Sequence, residues 1–315
     1  MIMQQKKNVR LLVLLLILAS STSAFYFFKS PDGRLEIDKN KFSVEDLSKI
    51  DKVILESPGG TIELKYNGTS WKVNDRYEAD RQLITVLFAT LEQAEPKRPV
   101  AADENSSVVD QITNEGVKVN LLEGSELKKT FISGGNSEKT VTYFYEPGDK
   151  PYVMTIPGYR IYVASILELD ENGWKDKRVF NFNWRNFKSM NVTFPANSKE
   201  DFEIGQRDGF FNVIGMETDT TRLNDFLDDV SLLVGDQIIS TGKFPRYDSL
   251  LTSTPSLSIV ITDIANRDYQ LKLFSGLKED PAIVGKVNDI EVMVFDRKKV
   301  IKIAKNRSYF KRRNE

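Results

Sequence analysis

Acid–base chemistry in this chain has to come mainly from carboxylates, because the sequence contains no histidine and no cysteine. This inventory excludes Ser-His-Asp triads, histidine general bases, thiol nucleophiles, disulfides and cysteine-based zinc sites. A carboxylate pair of the glycosidase kind needs only Asp and Glu, of which the chain has 45. Their separation in space does not follow from the sequence, so a carboxylate-based hydrolase stays open as an alternative function.

Two groups of carboxylates have spacings that invite a functional role. Asp80 and Asp219 each precede an apolar helical pattern by four residues, where an aspartate caps free N–H groups of the first turn. The run Asp170–Asn172 before Gly173 is similar to part of a calcium loop, but its ligands are consecutive instead of alternate. We interpret the first group as caps and the second as a polar linker, and we expect no catalytic, cofactor-binding or metal-binding residue.

The helix that Asp80 would cap belongs to a stretch that occurs twice, at residues 70–93 and 210–233. Each copy has an aromatic residue, Trp71 or Phe211, then an aspartate, then apolar residues spaced i, i+3, i+4, i+7, which form one helical face. These residues are Ile84, Leu87, Phe88 and Leu91 in the first copy and Leu223, Phe226, Leu227 and Val230 in the second. The sequence therefore predicts a tandem duplication, with Trp71 and Phe211 in the cores of their own copies.

Short strands and turns surround these helices. Asn67-Gly68 and Asp208-Gly209 occupy matching positions, and Asn-Gly predicts a type I′ hairpin turn with both central residues at positive φ. Ser133-Gly134 predicts another turn, and residues 95–107 predict a loop. Alternation in two further strands predicts these inward-facing residues: Val117, Val119 and Leu121, and Leu257, Ile259 and Ile261.

The strand around Tyr143–Tyr145 is apolar on both faces and belongs to a predicted hairpin across residues 147–149. Such a strand is either buried between a sheet and a helix or exposed as a patch for a partner. We favour burial.

Consecutive short strands joined by tight turns favour antiparallel meanders over parallel crossovers. We predict an α+β fold, a tandem duplication of two modules that follows an N-terminal transmembrane helix. Each module is expected to be a mainly antiparallel sheet with its helices packed on one face. The predicted division is a cytoplasmic region at 1–8, an anchor or signal at 9–28, a tether at 29–41, a first module at 42–169, a linker at 170–179, a second module at 180–306 and a basic tail at 307–315.

The segment from Val9 to Phe28 predicts contact with a membrane. Residues 11–28 carry no charge, are close to the minimum length that spans hydrocarbon, and follow a basic stretch. A cleaved secretory signal would end at Ala24. We favour an uncleaved anchor with the N-terminus inside, because the aromatic residues 25–28 continue the apolar segment. Both interpretations export the rest of the chain.

Charge is balanced over the whole chain, with 44 basic and 45 acidic residues and a formal net charge of -1. No global field therefore selects nucleic acid, and we expect no nucleic-acid partner. The basic end, with Lys311, Arg312 and Arg313, is interpreted as a solvated terminus.

One set of motifs resembles a known family. A hairpin that ends in Trp71-Lys72-Val73, then Ala79-Asp80, a helix with L-x-x-L spacing and a later Trp174-Lys175-Asp176-Lys177 are similar to an uncharacterised domain family. That family occurs in membrane-anchored bacterial envelope proteins, and the resemblance covers most of residues 42–305. Its members are often encoded beside auxiliary components of ABC transport systems of the gliding-motility type, which implies an accessory role. Its motifs are structural, so no functional residue is carried over.

We expect a single-pass protein of the bacterial cell membrane that is not an enzyme and acts as an accessory or scaffold. The expected partner is a membrane protein or an ABC transporter. The alternative is a carboxylate-based envelope hydrolase or glycan-binding module with an aromatic-lined groove. A deep cleft with two facing carboxylates would favour the alternative, and a flat apolar patch would favour the scaffold.

Overall fold

The computed structural model describes residues 13–24, 37–207, 209–274 and 281–312. Residues 13–24 are helical, labelled α1, and have exposed side chains. Across the described ranges, no helix combines the length and the apolar character needed to cross a membrane. The predicted anchor at 9–28 extends past the described residues at both ends, so it stays a prediction.

The first sheet is antiparallel throughout and has the order β4-β3-β2-β1-β6-β7-β8-β9-β5 over the described residues. Its strands are β1 (Lys52–Ser57), β2 (Gly60–Tyr66), β3 (Trp71–Val73), β4 (Tyr77–Glu78), β5 (Glu95–Pro99), β6 (Val117–Glu123), β7 (Glu126–Gly135), β8 (Thr142–Tyr145) and β9 (Tyr152–Thr155). The accompanying helices are α2 (Arg81–Gln93), α3 (Asn105–Glu115) and α4 (Glu171–Trp174), with 3-10 turns at Leu47–Lys49 and Val163–Ile166.

The second sheet is also antiparallel and has the order β12-β11-β10-β14-β15-β16-β17-β13 within the described part of the chain. Its strands are β10 (Phe187–Thr193), β11 (Phe202–Arg207), β12 (Phe210–Val213), β13 (Gln237–Ile239), β14 (Leu257–Asp263), β15 (Asp268–Leu273), β16 (Ala282–Val287) and β17 (Glu291–Asp296). The helices are α5 (Thr220–Ser231), α6 (Pro245–Leu251) and α7 (Arg297–Ile303), with 3-10 turns at Trp184–Asn186, Ser198–Glu200 and Arg307–Phe310.

Apart from the short edge strand β4, the two sheets have the same spatial order of equivalent strands. The register agrees as well, because Leu64 pairs with Val73 in the first sheet and Ile204 pairs with Val213 in the second. Trp71 and Phe211 therefore occupy equivalent positions, as predicted. The α+β class and the antiparallel pairing are confirmed, and the arrangement is consistent with two modules.

The core of each half lies between one sheet face and the predicted amphipathic helix. Ile84, Leu87 and Leu91 of α2 are buried against the first sheet, and the four predicted residues of α5 are buried against the second. The inward-facing residues predicted in β6 and β14 are all buried. The i, i+3, i+4, i+7 pattern therefore identified the buried helix face correctly.

The prediction that the helices pack on one face is wrong. Ile112 of α3 packs on the opposite face of the first sheet from α2, together with Tyr143 and Tyr145. Both faces of strand β8 are thus covered, because Phe144 points into the main core on the other face. Helix α6 covers the second sheet in the same way through Tyr247. Burial of the strand around Tyr143–Tyr145 is confirmed.

The predicted loop at 95–107 is also wrong, because it contains β5 and the start of α3. Ser133 and Gly134 lie inside β7 and form no turn. A Cβ atom on Gly134 would lie 2.9 Å from Cγ2 of Ile112, so the glycine is required where α3 crosses the sheet. This close approach depends on tertiary packing, and in the sequence a glycine required for packing looks the same as a glycine required for a turn.

Both predicted hairpins form, but the type I′ turn at Asn67-Gly68 does not. Gly68 has a φ of 91°, whereas Asn67 is not among the residues with positive φ. The Asn67 side-chain oxygen instead accepts hydrogen bonds from the N–H groups of Thr69 and Ser70, which holds a longer loop. Asp208 lies outside the described residues; Arg207 pairs with Phe210 across that hairpin.

Candidate functional site

Asp80 and Asp219 are helix caps, as predicted. The Asp80 carboxylate accepts hydrogen bonds from the N–H groups of Gln82 at 2.8 Å and Leu83 at 3.3 Å. The Asp219 carboxylate accepts from the N–H group of Arg222 at 3.1 Å. The two aspartates begin different helices over separate cores, so they do not form a shared acid–base pair.

The run Asp170–Asn172 begins the short helix α4. Asp170 caps it through the N–H group of Gly173 at 2.7 Å, and Glu171 pairs with Lys175 at 3.0 Å. Throughout the described ranges there is no cluster of three Asp or Glu residues arranged to hold a metal ion. These carboxylates have structural partners.

Residues 170–179, the predicted linker, are packed and hydrogen-bonded in the structure. We call residues 174–179 the strap, because they are hydrogen-bonded to both halves of the molecule. Trp174 is completely buried in the core of the first half. Burial of the Trp174 side chain fixes the strap against the first module, and burial of Val179 in the second core fixes its other end.

Backbone hydrogen bonds hold the strap on both sides. The N–H group of Asp80 donates to the carbonyl oxygen of Trp174, and that of Asp176 donates to Glu78, both at 2.8 Å. On the other side, Gly235 donates to Lys177 at 2.9 Å and Val179 donates to Leu233 at 3.1 Å. The strap therefore joins the edge of the first sheet to the segment before β13 of the second.

Lys175 of the strap is buried, with only 6% of its surface exposed. Its ammonium group lies 3.5 Å from the centroid of the Tyr77 ring and pairs with Glu171. Burial alone would raise the pKa of Glu171, but hydrogen bonds from Lys175 and Asn74 outweigh it and leave that pKa below its usual value. The aromatic ring and the carboxylate together offset the cost of burying the Lys175 ammonium group.

A groove opens above the strap, with a volume of about 700 Å³. Its floor includes the half-buried Trp71, whose ring centroid lies 5.3 Å from that of Phe88 and 5.9 Å from that of Tyr66. We call it the Trp71 groove. Its other lining residues include Glu78 and Asp80 to Gln82 of the first module, Asp176 and Arg178 of the strap, and Val234 of the second module.

The carboxylates around the Trp71 groove are already bound by other groups. Glu78 pairs with Lys72, and Asp176 accepts a hydrogen bond from Nε of Arg178 at 2.8 Å. Burial would raise the pKa of Glu78, yet hydrogen bonds from Lys72 and Ser70 leave it below its ordinary value. A general acid needs a raised pKa, so the lowered pKa of Glu78 does not suit proton donation.

The second half has a smaller pocket of about 430 Å³ beside Phe211, lined on α5 by Asn224, Leu227, Asp228 and Ser231 and not by the terminal strap. Phe211 replaces Trp71 there, and Leu227 of α5 replaces Phe88. Trp184 adds an edge-on contact to Phe211, with ring centroids 6.4 Å apart. Trp71 and Phe211 are therefore half-buried at pocket walls and also packed against their cores, which refines the prediction that both are core residues.

The second half also ends in a strap. Asp219 donates its N–H to the carbonyl oxygen of Phe310 at 2.8 Å, and Arg312 donates to Glu217 at 3.1 Å. We call residues 310–312 the terminal strap, because they repeat the bonds of Trp174 and Asp176. Phe310 is completely buried, so the predicted solvated tail is packed up to this residue.

Sequence analysis missed the groove residues Glu78, Asp176, Arg178, Tyr66 and Val234. They are far apart in sequence and come together only where the strap meets both modules. The available signal was the motif around Trp174, because a large apolar residue in a polar linker indicates a buried attachment point.

Comparison with known proteins gives one match. Residues 71–248 match the family described as Domain of unknown function (DUF4340), which is more than half of the 315-residue chain. The matched region runs from Trp71 in β3, through the strap, to Asp248 in α6, so it includes most of the groove and parts of both modules. No curated protein and no solved structure matches the chain. The chain belongs to the DUF4340 family of uncharacterised domains.

Proposed function

We propose that this protein is a membrane-anchored, extracytoplasmic, non-enzymatic accessory or scaffold of the bacterial envelope, with a partner in an ABC-type transport complex of the same membrane. The observation that carries the proposal is the Trp71 groove, because its walls come from both modules and from the strap. The anchor from Val9 to Phe28 rests on the N-terminal sequence. The transport partner rests on the family resemblance.

The lining of the groove suits a protein segment. Trp71 and Tyr66 provide aromatic surface, and Arg81 and Arg178 provide planar cations at the rim. Aromatic residues and arginine contribute most of the binding energy in many protein interfaces. A partner segment with one apolar side chain over Trp71 and an acidic side chain against the rim would fit this arrangement.

The strap supports a scaffold role because it limits motion of one wall of the groove relative to the other. It is hydrogen-bonded to Glu78 and Asp80 on one side and to Leu233 and Gly235 on the other. A preorganised site loses less conformational entropy when a partner binds. The carboxylates of Glu78 and Asp176 are already paired with Lys72 and Arg178, which supports the non-enzymatic part of the proposal.

Site-specific photocrosslinking in native cells tests the proposal. A photoreactive amino acid at Gln82 lines the groove, whereas the same amino acid at the exposed Glu92 lies at the far end of the same helix and serves as the matched control. We expect a crosslink to a membrane protein from position 82 and not from position 92. Trp71→Ala in the position-82 protein should reduce that crosslink by about tenfold, the loss expected for a moderate aromatic contact.

Equal crosslinking from both positions, or an unchanged crosslink in the Trp71→Ala protein, would contradict the groove as the partner site.

The anchor is tested separately by sequencing the mature N-terminus of the cell-derived protein. Retention of residues 1–24 supports an anchor, and a new N-terminus after Ala24 supports a cleaved signal.

Glycan binding is a second candidate, and the juxtaposition of Trp71 with hydrogen-bonding carboxylates favours it. Sugars stack on tryptophan through C–H groups and bond to Asp or Glu at the rim. Cell-wall fragments can be titrated against the full chain while intrinsic fluorescence is followed, with Trp71→Phe as the variant. Saturable quenching that Trp71→Phe abolishes would support this candidate, and absence of any response to the fragments would remove it.

The finer organisation of the chain is also a proposal. The shared strand order and the two straps support a tandem duplication. The straps extend each repeated unit beyond residues 169 and 306, because Trp174 and Phe310 complete the two cores.

A further inference from the structure

The C-terminal segment differs in charge from its counterpart in the first half. Residues 297–312 contain no Asp or Glu and these eight cations: Arg297, Lys298, Lys299, Lys302, Lys305, Arg307, Lys311 and Arg312. Asp176 of the strap corresponds to Arg312 of the terminal strap. The N–H group of Asp176 donates to the carbonyl oxygen of Glu78, and that of Arg312 donates to the carbonyl oxygen of Glu217. The fold is repeated, but the charge is reversed.

A cavity of about 810 Å³ lies beside the terminal strap. It is lined by Arg222, Lys305, Lys311 and Arg312, with Ser308 and Asn306 as neutral hydrogen-bonding groups, and its wall contains no carboxylate among the described residues. The four cations come from α5, from the end of α7 and from the strap, so the tertiary structure collects them.

Lys311 and Arg312 on this wall are less compensated than Lys299 and Lys302 of α7. Lys299 pairs with Asp236 and Lys302 pairs with Asp229. By contrast, the exposed side chains of Lys311 and Arg312 have no ion-pair partner among residues 37–207, 209–274 and 281–312. Lys305 contacts the ring of Tyr309, and Arg222 donates to the Tyr309 carbonyl oxygen at 2.9 Å and pairs with Asp219.

The backbone that carries Lys311 and Arg312 is fixed. Phe310 is completely buried, and the backbone of Lys311 forms an isolated antiparallel β-bridge with that of Thr218. The N–H group of Arg312 donates a hydrogen bond to the carbonyl oxygen of Glu217. The two cations therefore start from defined positions at the cavity wall, which lowers the entropic cost of holding a ligand between them.

We propose that this cavity binds phosphoryl groups, either on the headgroup of an anionic phospholipid or on a soluble phosphate compound. Guanidinium and ammonium groups make short, charge-assisted hydrogen bonds to phosphate oxygens, and the guanidinium group of Arg312 can bind two oxygens. Ser308 and Asn306 add neutral donors. The exposed Ile301 of α7 and Tyr309 beside the cavity are side chains of the kind found at lipid interfaces, so the headgroup source has a physical basis.

Isothermal titration of the full chain in nonionic detergent tests the site with two probes. The first is inorganic pyrophosphate, and the second is dioctanoyl phosphatidylglycerol, with dioctanoyl phosphatidylcholine as the zwitterionic reference. The site variant is Lys311→Gln with Arg312→Gln. The matched control is Lys298→Gln with Arg160→Gln, which removes the same charges from exposed positions outside the cavity wall.

We expect the site variant to bind the effective probe about 20- to 30-fold more weakly than the wild type, because each cation near an anionic surface contributes roughly a fivefold factor. Binding should also weaken as salt rises. Pyrophosphate binding alone would assign a soluble ligand, and preference for phosphatidylglycerol over phosphatidylcholine would assign a lipid headgroup. Lack of binding to both anionic probes, or equal loss in the control variant, would overturn the proposal.

Discussion

The backbone N–H group of Asp80 donates to the carbonyl oxygen of Trp174 at 2.8 Å, across 94 positions of sequence. Asp80 also begins α2, so one residue caps a helix and holds the strap. The second half repeats this relationship between Asp219 and Phe310. The strap is thus part of the folded unit.

Trp174→Ala should destabilise the full chain by about 3–5 kcal/mol, because it removes a completely buried aromatic side chain. Trp174→Phe should cost much less, since Phe310 fills the equivalent place in the second half and the Trp174 Nε1 hydrogen has no acceptor among the described residues. Urea denaturation followed by circular dichroism measures both effects. Tyr159→Ala, at an exposed position, is the control. A loss below about 1 kcal/mol for Trp174→Ala would show that the strap is not a core element.

Asp80→Ala should cost about 1 kcal/mol through loss of the cap, whereas Asp80→Asn should be nearly neutral because an amide oxygen also accepts the two N–H bonds. Thermal unfolding of the two variants measures the difference. Asp103→Ala, at an exposed position before α3, gives the effect of removing a charge alone. Equal destabilisation by Ala and Asn would mean that the carboxylate charge matters more than the cap geometry.

Gly134→Ala should destabilise the fold by about 1–3 kcal/mol, because the added methyl group would lie 2.9 Å from Cγ2 of Ile112. Combining it with Ile112→Ala should give less destabilisation than the sum of the single changes, since the clash and the contact share the same atoms. A double-mutant cycle in urea tests this coupling. Gly59→Ala is the matched control, as its Cβ would make only an ordinary contact with Ser57. Additive single effects would contradict the close approach of α3 and β7.

Glu291→Gln should change how stability depends on pH. Burial raises the pKa of Glu291 above its ordinary value of 4.5; Lys175 opposes this rise and Asp176 adds to it. The folded state therefore holds the proton more tightly than the unfolded state, and the resulting stability is lost as pH rises through the folded pKa. We expect the Tm of Glu291→Gln relative to wild type to increase from pH 4 to pH 8.

Differential scanning fluorimetry across that pH range measures the effect, with Glu92→Gln as the exposed control. A Tm difference that stays constant would show that the pKa of Glu291 is the same in the folded and unfolded states, and one that decreases with pH would show that Glu291 prefers its charged form in the folded protein. Lys175 would then be its dominant neighbour.

Local pattern was sufficient for several elements of this fold. The apolar spacing in α2 and α5, the caps Asp80 and Asp219 and the alternation in β6 and β14 are short-range signals, and each was confirmed. The helix α3 was missed because its buried surface is narrow, with only Val108 and Ile112 buried. Gly134 was misinterpreted because a glycine required for helix packing has the same sequence signal as a turn glycine.

The amino-acid sequence by itself determined the α+β class, the amphipathic helices with their caps and the absence of histidine and cysteine chemistry, since these depend on residue type and on spacing of a few positions. The tertiary structure alone decided that both faces of each sheet are covered, that the strap is shared by two modules, and that Trp71, Asp176 and Val234 line one groove. Those features depend on pairings between residues far apart in the chain. Such pairings depend on which apolar surfaces bury each other away from water, and the local sequence pattern does not specify that choice.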